Sequence, residues 1–148
     1  MSDNFTVTDA IISASQLNSL DNQYSGTVDA TAVTTITGTA AEIATVYSSS
    51  GINGLGNEAV TIIDADGTSI SATNLSTIGG ATTGTVTVTN AVAITGDHDQ
   101  VTAALITAST KVEVSDATVI INDADATAIA ATELSAIGGA TTGTVTVN

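Results

Sequence analysis

A stretch of this chain is written twice. Residues 60–88 read VTIIDADGTSISATNLSTIGGATTGTVTV, and residues 119–147 read VIINDADATAIAATELSAIGGATTGTVTV, 59 positions later and identical at 22 of 29 positions. A gapless repeat of that period means stacked, near-equivalent units, so architecture is legible before any site. Shorter echoes extend it. Ser25-Gly26-Thr27-Val28 returns at Thr83-Gly84-Thr85-Val86 and again at Thr142-Gly143-Thr144-Val145. Taking the first strand valine of each unit as its start gives Val7, Val28, Val60, Val86, Val119 and Val145, within one domain over 1–148. After the first, the spacings alternate between long (~32) and short (~26) units.

The apolar content fits a narrow core. Hydrophobic residues make up 43% of the chain, yet it has one Phe, two Tyr and no Trp. A spherical core of this size relies on bulky aromatics to fill its centre. Stacked Ala, Val and Ile suit a core only two side chains across. FTVT (5–8), TVTV (85–88) and TVTV (144–147) alternate polar and apolar residues, the mark of half-buried strands. Second strands are predicted over 33–37, 68–71, 92–95 and 127–130. A helical turn follows at 41–46, 72–78 and 131–137, with apolar residues at i and i+3. Gly79-Gly80 and Gly138-Gly139 then fall where a helix C-cap takes positive φ. The predicted fold is therefore mainly β: a parallel β-solenoid (β-helix) of about five coils, each with a short helical turn. The absence of Pro agrees, since nearly every backbone N–H joins a ladder.

Charge narrows the function classes. Lys111 is the only Lys or Arg and the net charge is −14. Nucleic-acid binding is disfavoured, because affinity for phosphates rests on Lys and Arg, and anionic membrane surfaces are disfavoured likewise. No apolar run approaches the roughly 20 residues of a spanning helix. The acidity is read either as solubility or as cation binding. For the latter the candidates are Asp64 and Asp66 in Asp64-Ala65-Asp66-Gly67-Thr68, with Asp123 and Asp125 in the copy. Carboxylates two apart beside a turn glycine resemble the start of calcium loops, while Asp also closes turns on its own backbone. Asp9, Asp64 and Asp123 are expected along one edge.

In Asp97-His98-Asp99, an Asp is a natural N-cap for the helix that follows. One His without a second His or Cys argues against a transition-metal site. The glycine-rich 51–56 lacks both the P-loop ending and the GxGxxG order. Nothing singles out an acid and a base, so no enzyme is expected. Thr6, Thr8, Thr85, Thr87, Thr144 and Thr146 place threonines outward as ice-binding solenoids do, though Asp29 and Ala59 interrupt the array.

SGTVDATAVTTITGTAAEI (25–43), GINGLGNEAVTI (51–62) and ATNLSTIGGATTGTVTV (72–88) resemble the Ala/Thr/Gly-rich repeats of very large cell-surface and secreted proteins of marine picocyanobacteria, and fibre-like proteins of their phages. The resemblance implies an extracellular or cell-surface structural protein, or a virion component. The GGxGxD nonapeptide of secreted calcium repeats is missing, and no classical signal peptide is present. The expected function is a structural subunit or segment of an extracellular fibre or surface layer. It would self-assemble head to tail, as a homopolymer, through strand edges at Phe5, Thr6, Val7 and Thr8 and at Thr144, Val145, Thr146 and Val147. The alternative is a calcium-binding or ice-binding module of a large adhesin.

Overall fold

Helix starts are written in the side chains that close them. Ser13 with Gln16, Thr39 with Glu42, and Asp97 with Gln100 form reciprocal capping boxes. They open α1 (Ala14–Gln23), α2 (Ala40–Ser48) and α4 (His98–Leu105). α3 (Ala72–Ala81) and α5 (Ala131–Gly139) begin without a side-chain cap. α3 is held instead by an apolar stripe of Ala72, Leu75, Ile78 and Gly79, all buried. The computed structural model describes residues 3–148.

The strands are short: β1 (Phe5–Thr6), β2 (Ile11–Ser13), β3 (Val28–Asp29), β4 (Thr35–Gly38), β5 (Ile52–Asn53), β6 (Ala59–Ile62), β7 (Ser69–Ser71), β8 (Val86–Val88), β9 (Ala93–Gly96), β10 (Val112–Glu113), β11 (Thr118–Ile121) and β12 (Val145–Val147). Every pairing is parallel. A three-stranded sheet runs β1-β3-β5, a five-stranded sheet β2-β4-β6-β8-β10, and a four-stranded sheet β7-β9-β11-β12. Register stacks like on like. Ile12, Ile36, Val60, Val86 and Val112 form one inward column, and Ile70, Ile94, Val119 and Val145 another. Parallel strands need a crossover. The helices supply it on one layer, packing in the order α1, α2, α3, α4, α5.

This overturns the mainly β solenoid. The chain is α/β, with five helices and twelve parallel strands in three sheets among the described residues, and the turns do not close into one column. Two physical reasons account for it. The expected single helical turns at 41–46, 72–78 and 131–137 run on as helices of 9 or 10 residues, α2 opened by a capping box and α3 and α5 without one. Equivalent strands of the two copies also enter different sheets: β6 and β8 lie in the five-stranded sheet, β11 and β12 in the four-stranded one. The stack therefore steps sideways along the chain, and the β-solenoid filament is no description of it. The alternating coil lengths fail as well, since paired strands of neighbouring turns lie 23 to 26 residues apart.

Gly79, Gly80, Gly138 and Gly139 sit in or at the edge of helices, and positive φ belongs to Gly54, Gly56 and Gly67. A Cβ on Gly79 would collide with the Thr110 carbonyl, so its role is close backbone approach. Residues 127–130 form no strand where the first copy has β7. In the turn before them, Ala126 holds φ 66°, matching Gly67 at φ 76° in the first copy. A left-handed residue with a Cβ costs about 1 kcal/mol or more. Ala126→Gly should therefore stabilise the protein by about 1 kcal/mol, and Gly67→Ala should destabilise it comparably. Thermal melts of both variants check this; melting points that do not move apart would count against the strain.

Candidate functional site

The two Asp-Ala-Asp motifs reach back one turn onto helix starts. Asp64, buried, accepts from the Ala40 amide at 2.7 Å through Oδ2. Asp123 Oδ2 accepts from the His98 amide at 3.2 Å. Ala40 and His98 are the first residues of α2 and α4, where the helix dipole favours a negative charge. Asp66 Oδ1 accepts from the Ala91 amide at 3.0 Å, and Asp125 is exposed. The four calcium candidates thus divide between two places, beyond β6 of the five-stranded sheet and beyond β11 of the four-stranded one. Asp9, exposed, precedes β2.

The turns onto which the two motifs reach differ at one chemically decisive position. Where α2 begins with Ala40, α4 begins with His98, and Asp97 caps it as its residue type predicts. The His98 Nδ1 lies 2.6 Å from Asp123 Oδ1. Asp123 therefore accepts from both the backbone and the ring of His98, fixing the ring in place. His98 Nε2 faces the opposite way, 3.6 Å from Asp99 Oδ1 and 4.0 Å from Glu133 Oε2. Glu133, from α5, accepts from Thr102 Oγ1 at 3.0 Å through its other oxygen. The His98 side chain is 15% exposed, Glu133 25% and Asp99 86%. The hydrogen bond to Asp123, then the charges of Asp123, Asp99 and Glu133, raise the His98 pKa above 6.5, against the opposing pull of desolvation.

A second acid is wholly internal. Glu58 is 1% exposed, and its carboxylate accepts from the Tyr47 hydroxyl and from the amides of Gly56, at 2.7 Å, and Asn57, at 3.1 Å. Burial, with Glu58 beside it, pushes the Tyr47 phenol pKa upward. This group closes the 51–58 loop from inside, as buried carboxylates must when their oxygens are all partnered.

Of the expected assembly edges, Phe5 and Thr6 form β1, which pairs β3 alone, and Val145, Thr146 and Val147 form β12, which pairs β11 alone. Val7 is buried, and Thr8 and Thr144 flank the strands exposed. The outward threonines do not form one lattice, because Thr6, Thr87 and Thr146 belong to three different sheets. Sequence reasoning missed the pairing of His98 with Asp123 and the approach of Glu133. No motif at short range brings together residues 25 apart. Compared with protein-family models, with curated proteins and with solved structures, the chain matches none.

As the chain's one histidine, His98 titrates without ambiguity. Its raised pKa means that its stabilising contribution is complete below about pH 6.5 and is lost as pH rises through the folded value. In metal-free buffer, NMR titration of the ring should give a pKa above 6.5. Asp123→Asn should lower it, and an unchanged value in that variant would refute the assigned cause.

Proposed function

We propose that this chain is a structural repeat module of an extracellular surface assembly, joining end to end with further copies of itself. One observation supports the reading: identical residues occupy opposite environments in the two copies. Ala72, Leu75 and Gly79 of α3 are buried, whereas their counterparts Ala131, Leu134 and Gly138 in α5 are exposed or half-exposed. Val88 is 2% exposed, and its counterpart Val147 is 47% exposed. The first copy is covered by one further turn, with β9 on β7, α4 on α3 and β10 on β8. The second presents the same apolar surface without that cover.

The opposite end supplies a matching turn. β1, β2 and α1 offer two strands and a helix, the same elements as the cover of the first copy, in the order strand, strand, helix. They leave a hollow of about 420 Å³ lined by Phe5, Val7, Ile12 and Leu20. In the proposed contact, β1 of a second copy adds to β12, its β2 lies along 127–130, and its α1 rests on α5. Parallel addition to free strand edges needs no new chemistry. Such a contact joins unlike surfaces of successive copies. Each copy carries −14, so repulsion opposes the contact and salt relieves it.

Sedimentation velocity over a range of protein and NaCl concentrations tests this. Association should grow with both. A Cβ on Gly138 meets nothing within 4 Å in the isolated chain. Gly138→Ala should then raise the monomer's stability by about 0.5–1 kcal/mol while weakening association, because Gly79 shows that the covering turn leaves no room for a Cβ. A chain monomeric at high concentration and high salt, or a Gly138→Ala variant that associates undiminished, would overturn the proposal.

A further inference from the structure

We infer that His98, Asp99 and Glu133 form a site for one divalent transition-metal ion, zinc in type, that ties α4 to α5. His98 Nε2 and one oxygen from each carboxylate lie within 4.8 Å of one another. In a tetrahedral zinc site with bonds of about 2.0–2.2 Å, neighbouring ligand atoms stand about 3.3–3.5 Å apart. The separations from His98 Nε2, 3.6 Å to Asp99 and 4.0 Å to Glu133, need closing by only a few tenths of an ångström. Asp99, largely in solvent, is free to make most of that movement. Water takes the fourth position.

What distinguishes this group from an ordinary acidic surface is the orientation of its ligands. Asp123 occupies Nδ1 of His98, so the Nε2 lone pair of the neutral ring is directed at the two carboxylates. Thr102 occupies Oε1 of Glu133 and leaves Oε2 toward the ring. A carboxylate behind a histidine and a hydroxyl behind a glutamate are the outer contacts that hold metal ligands in place. Charge points the same way. Asp99, Asp123 and Glu133 converge on one imidazole, and among the described residues no Lys or Arg pairs with them. Imidazole suits zinc and its neighbours, while calcium and magnesium take oxygen ligands. The ion takes the place of the Nε2 proton, which leaves to solvent.

The site lies where the fold is most lightly anchored. In α5 only Ile137 is buried, against four residues in α3. Two ligands come from the start of α4 and one from α5, so the ion would staple the last turn to the body. This inference is independent of end-to-end association.

The test is a titration of the full chain, stripped with EDTA and dialysed, with zinc chloride, followed by NMR of the single histidine and by amide hydrogen exchange. We expect saturation at one equivalent, a shift of the His98 ring signals, and slower exchange in α5 and β12. Calcium chloride at the same concentration should do neither. Glu133→Gln, which keeps the bond to Thr102, and Asp123→Asn should each weaken zinc by roughly 10-fold or more. His98→Gln should abolish the stoichiometric step. Circular dichroism of each variant reports whether the fold is kept. Non-saturating zinc uptake that leaves the His98 ring unmoved would overturn the site, as would undiminished binding by folded His98→Gln.

Discussion

Two spacings must be reconciled at every turn of this protein. Parallel strands stack about 4.8 Å apart, whereas helices pack at 8–10 Å, yet each turn here carries both. Small residues where the layers meet resolve the conflict. Ala14, Ala40, Ala72 and Ala104 are fully buried on the helices. Gly38 abuts Ala14, and Gly96 abuts Ala72 in the same relation one repeat later. At Gly79 the backbone of the following turn comes so close that no Cβ fits. The paucity of aromatics, the Ile and Val columns and the glycines all follow from this crowding. Bulkier side chains would drive the helices apart and break the ladders.

The repeat provides its own control. One text is folded twice in one molecule, once between neighbours and once at the end of the stack. Inside, β7 pairs, α3 is buried and Gly79 is pressed against Thr110. At the end, the counterpart of β7 lies unpaired, α5 keeps one buried residue and Gly138 faces open space. Identical residues with different burial show that strand pairing here is granted by the adjacent turn. The turns that precede the two copies set His98 apart: where the first of them has Ala40, the second has an imidazole held by Asp123.

Much of the local structure was legible. Alternating Val and Thr located β8 and β12, and the apolar i, i+3 spacing located α2, α3 and α5. Three helix starts were also in the text: Ser13 with Gln16, Thr39 with Glu42 and Asp97 with Gln100 mark those of α1, α2 and α4. Reading those stretches as single turns produced the mainly β expectation. The glycine pairs misled for another reason. A glycine near a helix end reads as a C-cap, and only the position of Thr110 reveals that Gly79 answers a steric demand from outside its own helix. The cluster at His98 was illegible because its partners Asp123 and Glu133 lie one turn away.

The sequence by itself determined the duplication of 60–88 at 119–147, the parallel stacking, the small-residue core and the polyanionic surface, because each depends on residue type at short or repeating distances. Only the tertiary structure decided which sheet each strand enters, that the copies step from one sheet to the next, and which carboxylates meet the histidine. Those outcomes depend on register between turns. Register is set by how strands and helices of neighbouring turns settle against each other, and no local pattern along the chain encodes it.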